Sequence, residues 1–391
     1  MRVVSTWPGT PGPLGMVNPG LDRLARTRVR LFARDVPAFR LCGTAGLMVA
    51  VAVSQFVAAC RGLSPGVVVL LAVVGVMTFL ALALVTSVLV GRETLVYLHH
   101  EIALLAASGG VLWALGLPVL AYLDAVALGI GGFLVCGRTG CLLVGCCHGR
   151  PAQWGVRYGP SHVKDGFFAP YSGVRLLPVQ LFEALWVLLV VIVGLGIVTA
   201  GYPPGVAFAW YVSVYGVGRF VLEYLRGDLH RPYFRGLSHN QWLTLVLAFL
   251  IALAGLLGAL PAGPGFTGLP LAVLVVFALP GVARRTGFTH PCHVAEMAAL
   301  LHENPVRTGE VRVAGTTSLG VRISVGTIHD DTGHHVHYGL SGASTVDLTG
   351  VASAILRVRH PEARDGALSP GRHGVVHLIV PAPGEAPLPG P

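Results

Sequence analysis

The sequence predicts an all-helical membrane protein of seven spans, with a shorter eighth candidate and a small α+β domain at its C-terminal end. Three observations lead there. Of 391 residues, 53% are hydrophobic and only 12% charged, whereas an ordinary soluble domain carries roughly 25% charged residues. The apolar residues fall into runs long enough to cross a bilayer, which takes about 20 residues of helix. Beyond residue 283 the chain turns polar and alternating. This composition excludes a purely soluble protein, and a disordered one, which needs low hydrophobicity and high charge. The 52 glycines follow no three-residue period, which excludes a collagen-like chain.

The elements follow in order. Residues 1–40 form a basic segment containing Arg23, Arg26, Arg28, Arg30, Arg34 and Arg40. No apolar stretch precedes about residue 41, so no cleavable signal peptide is expected. Spans are expected at 41–60, 66–90, 102–123, 125–147, 179–199, 204–225 and 242–260. A run at 269–283 has the length of either a thin span or an interfacial segment. Residues 41–283 thus make the transmembrane domain.

Residues 284–380 read as a soluble α+β module, with strands near 311–313, 321–325, 335–338 and 375–379 and helices at 293–303 and 344–357. Its histidines (His290, His293, His302, His329, His334, His335, His337) match no standard metal-ligand spacing, so a solvated surface is expected. Residues 381–391, rich in Pro, Gly and Ala, are expected to be unstructured.

The chain holds 27 basic and 18 acidic residues, a net charge of +9. A nucleic-acid-binding protein of this charge would be polar over most of its length, so no nucleic-acid partner is expected. Basic groups that interrupt apolar helices suit anionic lipid head groups or phosphate, which arginine holds in a planar fork.

The most informative stretch is Gly137-Arg138-Thr139-Gly140-Cys141, followed by Gly145-Cys146-Cys147-His148-Gly149. An arginine inside an apolar segment costs about 2.5–3.5 kcal/mol and is functional by default. Gly137 and Gly140 let a neighbouring helix or a lipid approach the backbone. The alternative is a snorkelling arginine in a seam of small residues. Cys141 and Cys146 would lie about 140° apart on a continuous helix. A metal site closed by Cys147 and His148 would need that helix to break, so small buried side chains are the expected role, and no metal is expected.

Residues 215–226 place Tyr215, Arg219, Glu223 and Arg226 within an arc of roughly 80° on one helix face. Arg219 and Glu223 are four apart and can pair. Two arginines against one glutamate leave positive charge for something anionic to satisfy, although a structural salt bridge is the simpler alternative. Gln180 and Glu183 share a face at the start of another span, and Glu183 calls for a cation such as Arg138 or Arg219. Ser238 and Gln241 fit a helix-capping box. His99-His100-Glu101, at the mouth of a span, offers either a general base near neutral pH or an interfacial residue without chemistry.

These clusters, in this order, resemble the prolipoprotein diacylglyceryl transferase family of bacterial inner-membrane enzymes. The family's Gly-Arg-x-Gly signature is similar to Gly137-Arg138-Thr139-Gly140. Its Pro-x-Gln-Leu-Tyr-Glu element is similar to Pro178-Val179-Gln180-Leu181-Phe182-Glu183, and its Tyr-Gly-x-x-Arg-Phe-x-x-Glu-x-x-Arg element to residues 215–226 at each fixed position. Its Ser-x-x-Gln is similar to Ser238 and Gln241. The resemblance covers about residues 41–260.

It implies a multi-pass enzyme of the bacterial plasma membrane that works among membrane lipids without a cofactor. Such an enzyme moves the diacylglyceryl group of phosphatidylglycerol to the cysteine thiol of a lipobox-containing preprotein, releasing glycerol phosphate. By resemblance, Arg138 and Arg219 stabilise the leaving phosphate, and His99 or His100 is the base. Gly137, Gly140, Cys141, Gln180, Glu183, Tyr215, Glu223 and Arg226 complete the lipid site. The chain departs from the family in lacking its His-Gly-Gly element, in having Cys141 for an asparagine and Leu177 for a histidine, and in the short gap between the second and third spans. Two alternatives therefore stay open: a lipid transferase with another acceptor, and a non-catalytic protein that binds or transports anionic lipid.

The basic residues at 23–40, 148–177 and 226–241 would place those segments in the cytoplasm by the positive-inside rule. The resemblance implies the opposite face. Arginines retained for function inflate the count, so the outer face is preferred.

Overall fold

The computed structural model describes the chain apart from residue 1 and residues 6–12, 32–33, 92–96, 229–231, 284–289, 307–309, 331–332, 344–345, 362, 364 and 382–391. The expected unstructured tail beyond residue 381, the start of the expected soluble module at 284 and Arg231 lie outside the described residues.

A short helix, α1 (Asn18–Leu24), precedes the membrane body. That body consists of α2 (Ala38–Arg61), α3 (Pro65–Val90), α4 (Tyr97–Ala114), α5 (Val119–Val144), α7 (Val179–Thr199), α8 (Val206–Glu223), α9 (His239–Leu256) and α10 (Pro264–Ala283), with a single turn, α6 (Pro160–Lys164), in a surface connection. Helices α2, α3, α5, α7 and α9 are long and apolar enough to cross a membrane by length and composition. Helices α4 and α8 have 18 residues each and pack among these five. The ambiguous run at 269–283 lies in α10, a 20-residue helix that contains Pro270 and Pro280.

One expected boundary moves. The turn between α4 and α5 falls at residues 115–118, not at residue 124, because Gly116 adopts φ +65° and Pro118 is the N-cap residue just before the next helix. Asp124, left between two expected spans, is buried inside α5. It accepts hydrogen bonds from the backbone N–H groups of Gly205 (3.0 Å) and Phe208 (2.8 Å) and pairs with Arg61 at 3.2 Å. A carboxylate at the start of α8 satisfies donors that have no partner within the helix.

Helix α5 is the axis of the bundle, packed by α2, α4, α7 and α8, while α3 lies on the rim. Short turns join the helices on one face. The other face gathers the two longer connections, 145–178 and 224–238, together with both terminal regions. A hairpin of β2 (Arg28–Leu31) and β3 (Arg34–Pro37) leads into α2 on this face. The 145–178 connection pairs β4 (Pro151–Arg157) with β5 (Arg175–Leu176). A tight hairpin of β6 (Tyr233–Phe234) and β7 (Leu237–Ser238) introduces α9, whose capping box of Ser238 and Gln241 forms as the sequence suggests.

The C-terminal region is an antiparallel sheet of β8 (Arg312–Thr316), β9 (Arg322–Asp330), β10 (Gly333–Ser341), β11 (Asp365–Pro370) and β12 (Val376–Pro381), with α11 (Pro291–Glu303) and α12 (Leu348–Arg359). A sixth strand comes from the other end of the chain. β1 (Arg2–Ser5) pairs with β11, giving the order β1-β11-β12-β10-β9-β8. The module's core residues Met297, Leu301, Ile323, Tyr338, Ile355 and Leu378 are continuous with Leu142 of α5 and with Tyr158, Tyr171 and Leu176 of the 145–178 connection. The module is therefore seated on the face from which α5 and α7 carry their charged residues. Its histidines are not all solvated: His335 is buried against this core, and His337 Nε2 lies 2.8 Å from His377 Nδ1.

Candidate active site

Four helices each bring polar side chains to one level, a turn or two below the face that carries the sheet. Arg138 lies six residues before the end of α5, or about 9 Å at 1.5 Å per residue. Glu183 lies one turn into α7, Arg219 and Glu223 close α8, and Glu101 lies one turn into α4. Gly145, with φ +87°, stops α5 three residues before the expected end, and residues 148–150 then run between two neighbouring segments. Gly149 N–H donates to the Leu177 carbonyl (2.9 Å), Arg150 N–H to Leu225 (3.1 Å), and Gly227 N–H to His148 (3.1 Å). A Cβ on Gly149 would meet the Leu177 carbonyl oxygen at 2.6 Å, so only glycine allows this stitch. It ties the ends of α5, α7 and α8 together.

Glu183 is the hub. Its Oε2 lies 2.9 Å from Arg138 Nε and 3.7 Å from Arg226 Nη1; its Oε1 lies 3.5 Å from Arg219 Nε and accepts from the Tyr215 hydroxyl at 3.3 Å. Arg219 Nη1 also pairs with Glu223 Oε2 at 2.9 Å, and Arg226 Nε with Asp228 Oδ1 at 2.8 Å. Arg138 and Arg219, from separate helices, thus grip opposite oxygens of one buried carboxylate. Burial works against the charge on Arg226, outside the helices, but Cys147 and Asp228 keep its guanidinium above its ordinary value. Burial holds the neighbouring His148 imidazole below its ordinary value.

The charge balance differs from the sequence expectation. Residues 215–226 alone carry an excess of positive charge. In the cluster as a whole, Arg138, Arg219 and Arg226 face Glu183, Glu223 and Asp228, with Glu101 also buried nearby. The excess is cancelled by carboxylates from other segments, which a one-helix count cannot see.

A cavity of about 260 Å³ opens between α4, α5, α8 and α9. Leu98, Ile102, Leu105, Leu247, Leu250 and Ile251 make apolar walls, and Glu101, Tyr215 and Arg219 form its polar end. It therefore joins apolar walls to a polar end at which Arg219 is the cationic group and Glu101 the acidic one. Arg138 does not line it and connects to it through Glu183.

The other expected site residues divide. Gln180 donates from Nε2 to the Cys146 carbonyl at 2.8 Å. Gly140 faces α2, where a Cβ would meet Cys42 Cβ at 2.9 Å, whereas a Cβ on Gly137 would meet open space. Cys141 turns to Cys146 and Cys147, and the three sulfurs lie within 4.8 Å of one another. The helix break that the sequence argument required for such a meeting is present at Gly145.

His99 Nε2 lies 3.0 Å from His239 Nε2 at the start of α9. His100 packs against Phe79 of α3, ring centroids 4.7 Å apart, and neither His99 nor His100 lines the cavity. The sequence reading assigns no site role to Asp228, to His239 or to Tyr211, which stacks on Tyr215 with ring centroids 5.6 Å apart, and it names Glu101 only beside the two histidines. Glu101 carried a signal, since an ionisable group in an apolar helix is a functional candidate by default.

A family described as prolipoprotein diacylglyceryl transferase matches residues 35–257. The chain is similar to the phosphatidylglycerol–prolipoprotein diacylglyceryl transferase of Clostridium tetani, 36% identical over 129 residues, covering 32% of this chain and 49% of the relative. It is similar to phosphatidylglycerol–prolipoprotein diacylglyceryl transferase 2 of Streptomyces coelicolor, 37% identical over 155 residues, covering 38% and 46%. It is similar also to the corresponding transferase of Streptococcus agalactiae, 24% identical over 260 residues, covering 60% of this chain and 93% of the relative. In the first two, the chain spans about half the length of the curated relatives it matches.

Proposed function

The chain belongs to the prolipoprotein diacylglyceryl transferase family, and from that premise we propose that it moves the diacylglyceryl group of phosphatidylglycerol to a cysteine thiol of a prolipoprotein at a bacterial plasma membrane. One observation carries this reading: Arg219 and Tyr215 close the polar end of an otherwise apolar cavity, with Arg219 anchored by Glu183 and Glu223. The diacyl tails lie along the apolar walls, and the phosphate reaches the guanidinium.

In the reaction the acceptor sulfur forms a bond to a glyceryl carbon, the bond from that carbon to the phosphate oxygen breaks, and glycerol phosphate leaves. The leaving group gains negative charge in the transition state, where a cation fixed beforehand stabilises it most. Arg219 acts directly; Arg138 and Arg226 hold Glu183, and through it Arg219, in place. Burying several guanidinium groups is costly unless each is paired, so the carboxylates keep the arginines charged and aimed. Gln180, Gly137, Gly140 and Cys141 shape the surrounding helix ends.

The thiol, with an ordinary pKa near 8.5, needs a base to attack well. His99, poised against His239, is the base in this reading, and His100 serves packing. A second reading rests on Glu101, the titratable side chain of α4 that lines the cavity. Replacing each separately decides between them: His99→Gln or Glu101→Gln should abolish transfer and retain lipid binding.

The test of function is purified protein in nanodiscs with labelled phosphatidylglycerol and a lipobox peptide, followed by mass spectrometry. The proposal expects a diacylglyceryl adduct on the peptide cysteine and equimolar glycerol phosphate. Glycerol phosphate beside unmodified peptide means another acceptor. Tight lipid binding with neither product means a binding or transport protein.

A further inference from the structure

The cysteines gathered at the end of α5 take no part in the reaction described above. Cys141 lies on the last turn of α5, and Cys146 and Cys147 follow the Gly145 break. Their sulfurs converge within 4.8 Å of one another. Three metal–sulfur bonds of about 2.3 Å hold their sulfurs about 4 Å apart, so closing this set on an ion takes only a small contraction. Cys147 adopts φ +58°, a conformation that a non-glycine residue enters at a cost. Plain filling of space does not call for that conformation in a thiol. Burial is graded: Cys141 is buried, Cys147 half-buried and Cys146 exposed, so the cluster reaches the protein surface at Cys146.

We propose that Cys141, Cys146 and Cys147 form a binding site for a single thiophilic metal ion, Zn²⁺ or Cu⁺, at the end of α5. Three thiolate donors are the chemistry that both ions favour. Binding forms three sulfur–metal bonds and releases the thiol protons to solvent. With Zn²⁺ the three-sulfur set leaves a fourth position for water or an added ligand; Cu⁺ is satisfied by three. The Arg138 and Arg226 guanidinium groups lie close enough to Cys147 to interact with it electrostatically and offset the negative charge of the thiolates. The ion would clamp the end of α5 to the 146–147 turn, which Gln180 already ties to α7. It would thereby brace the two helices that carry Arg138 and Glu183.

The test uses the full-length protein in detergent, reduced and then incubated with Zn²⁺ or with Cu⁺ in separate arms. After dialysis the metal-to-protein ratio is measured for wild type, Cys146→Ser, Cys147→Ser and the controls Cys60→Ser and Cys292→Ser. The proposal expects about one retained ion per chain in wild type and both controls in at least one arm, and at least a tenfold loss of affinity in both cluster variants. On wild-type protein, thiol alkylation mapped by mass spectrometry reads the site without any substitution. Metal should protect Cys141, Cys146 and Cys147 and leave Cys60 reactive. No retained ion in either arm, retention that survives both cluster substitutions, or a disulfide among the three thiols in the isolated protein overturns the proposal.

Discussion

Helices α3 and α5 are the same length, 26 residues, and both are strongly apolar, yet they do opposite work. Over a bilayer-length stretch, 72% of α5 is buried and only 17% of α3. Helix α3 turns Val69, Val73, Met77, Leu84 and Val88 outward, as a helix facing acyl chains should. Helix α5 is built from small residues, with Gly129, Gly131, Gly132 and Gly140 letting α2, α7 and α8 close on it. Only in that packed position can Asp124 and Arg138 find the partners that offset their burial. Hydropathy finds both spans. The distribution of small residues tells which one holds a site.

The strongest way to break this contrast is Glu183→Leu. It leaves Arg138, Arg219 and Arg226 without their shared carboxylate, and uncompensating a buried charge costs about 3–5 kcal/mol. Thermal unfolding in detergent should record that loss together with the disappearance of transfer. Gly131→Val comes next. A Cβ there would meet Val191 Cγ2 at 2.5 Å and Tyr211 Cε2 at 2.8 Å, and overpacking of this kind costs about 1–3 kcal/mol. At the small end, Met77→Ala on α3 should shift stability by less than about 0.5 kcal/mol, because it lies on the outer surface of the bundle. If Met77→Ala matches Gly131→Val in the same assay, the division between rim and axis is wrong.

A titration sharpens the contrast between bundle and sheet. Burial, aided by Arg359, pushes His360 down to about 4, and its Nε2 lies 2.8 Å from the Tyr338 hydroxyl. Unfolded histidine titrates near 6.5. Between those values the unfolded state binds the extra proton, so the sheet loses stability as pH falls from about 6.5 toward 4 and levels off below. Allowing for partial solvent access, the loss attributable to this ring is about 1–2 kcal/mol. Hydrogen exchange read by mass spectrometry should show the β10 and α12 amides opening over that range, and His360→Phe should flatten the response.

Much of this was legible in the sequence because the spans are long and the charged residues inside them few. The Arg219–Glu223 pair follows from helical spacing, and the meeting of Arg138 with Glu183 from the demand of a buried charge for a partner. What was not legible depended on contacts between segments far apart in the chain. β1 pairs with β11 across more than three hundred residues, and no local pattern in residues 2–5 announces it. Asp124 looked like a break because its donors, the N–H groups of Gly205 and Phe208, begin a helix elsewhere. The thiols seemed divergent because helical geometry was carried through Gly145, where the helix in fact stops.

The most direct measurement is the rate of diacylglyceryl transfer at saturating phosphatidylglycerol for Arg219→Gln and Arg219→Lys beside wild type. A preplaced cation at the leaving phosphate predicts a fall of about 10²–10³-fold for the glutamine variant, with lysine recovering part of it. An Arg219→Gln protein that folds, binds the lipid and transfers it at the wild-type rate would contradict the account.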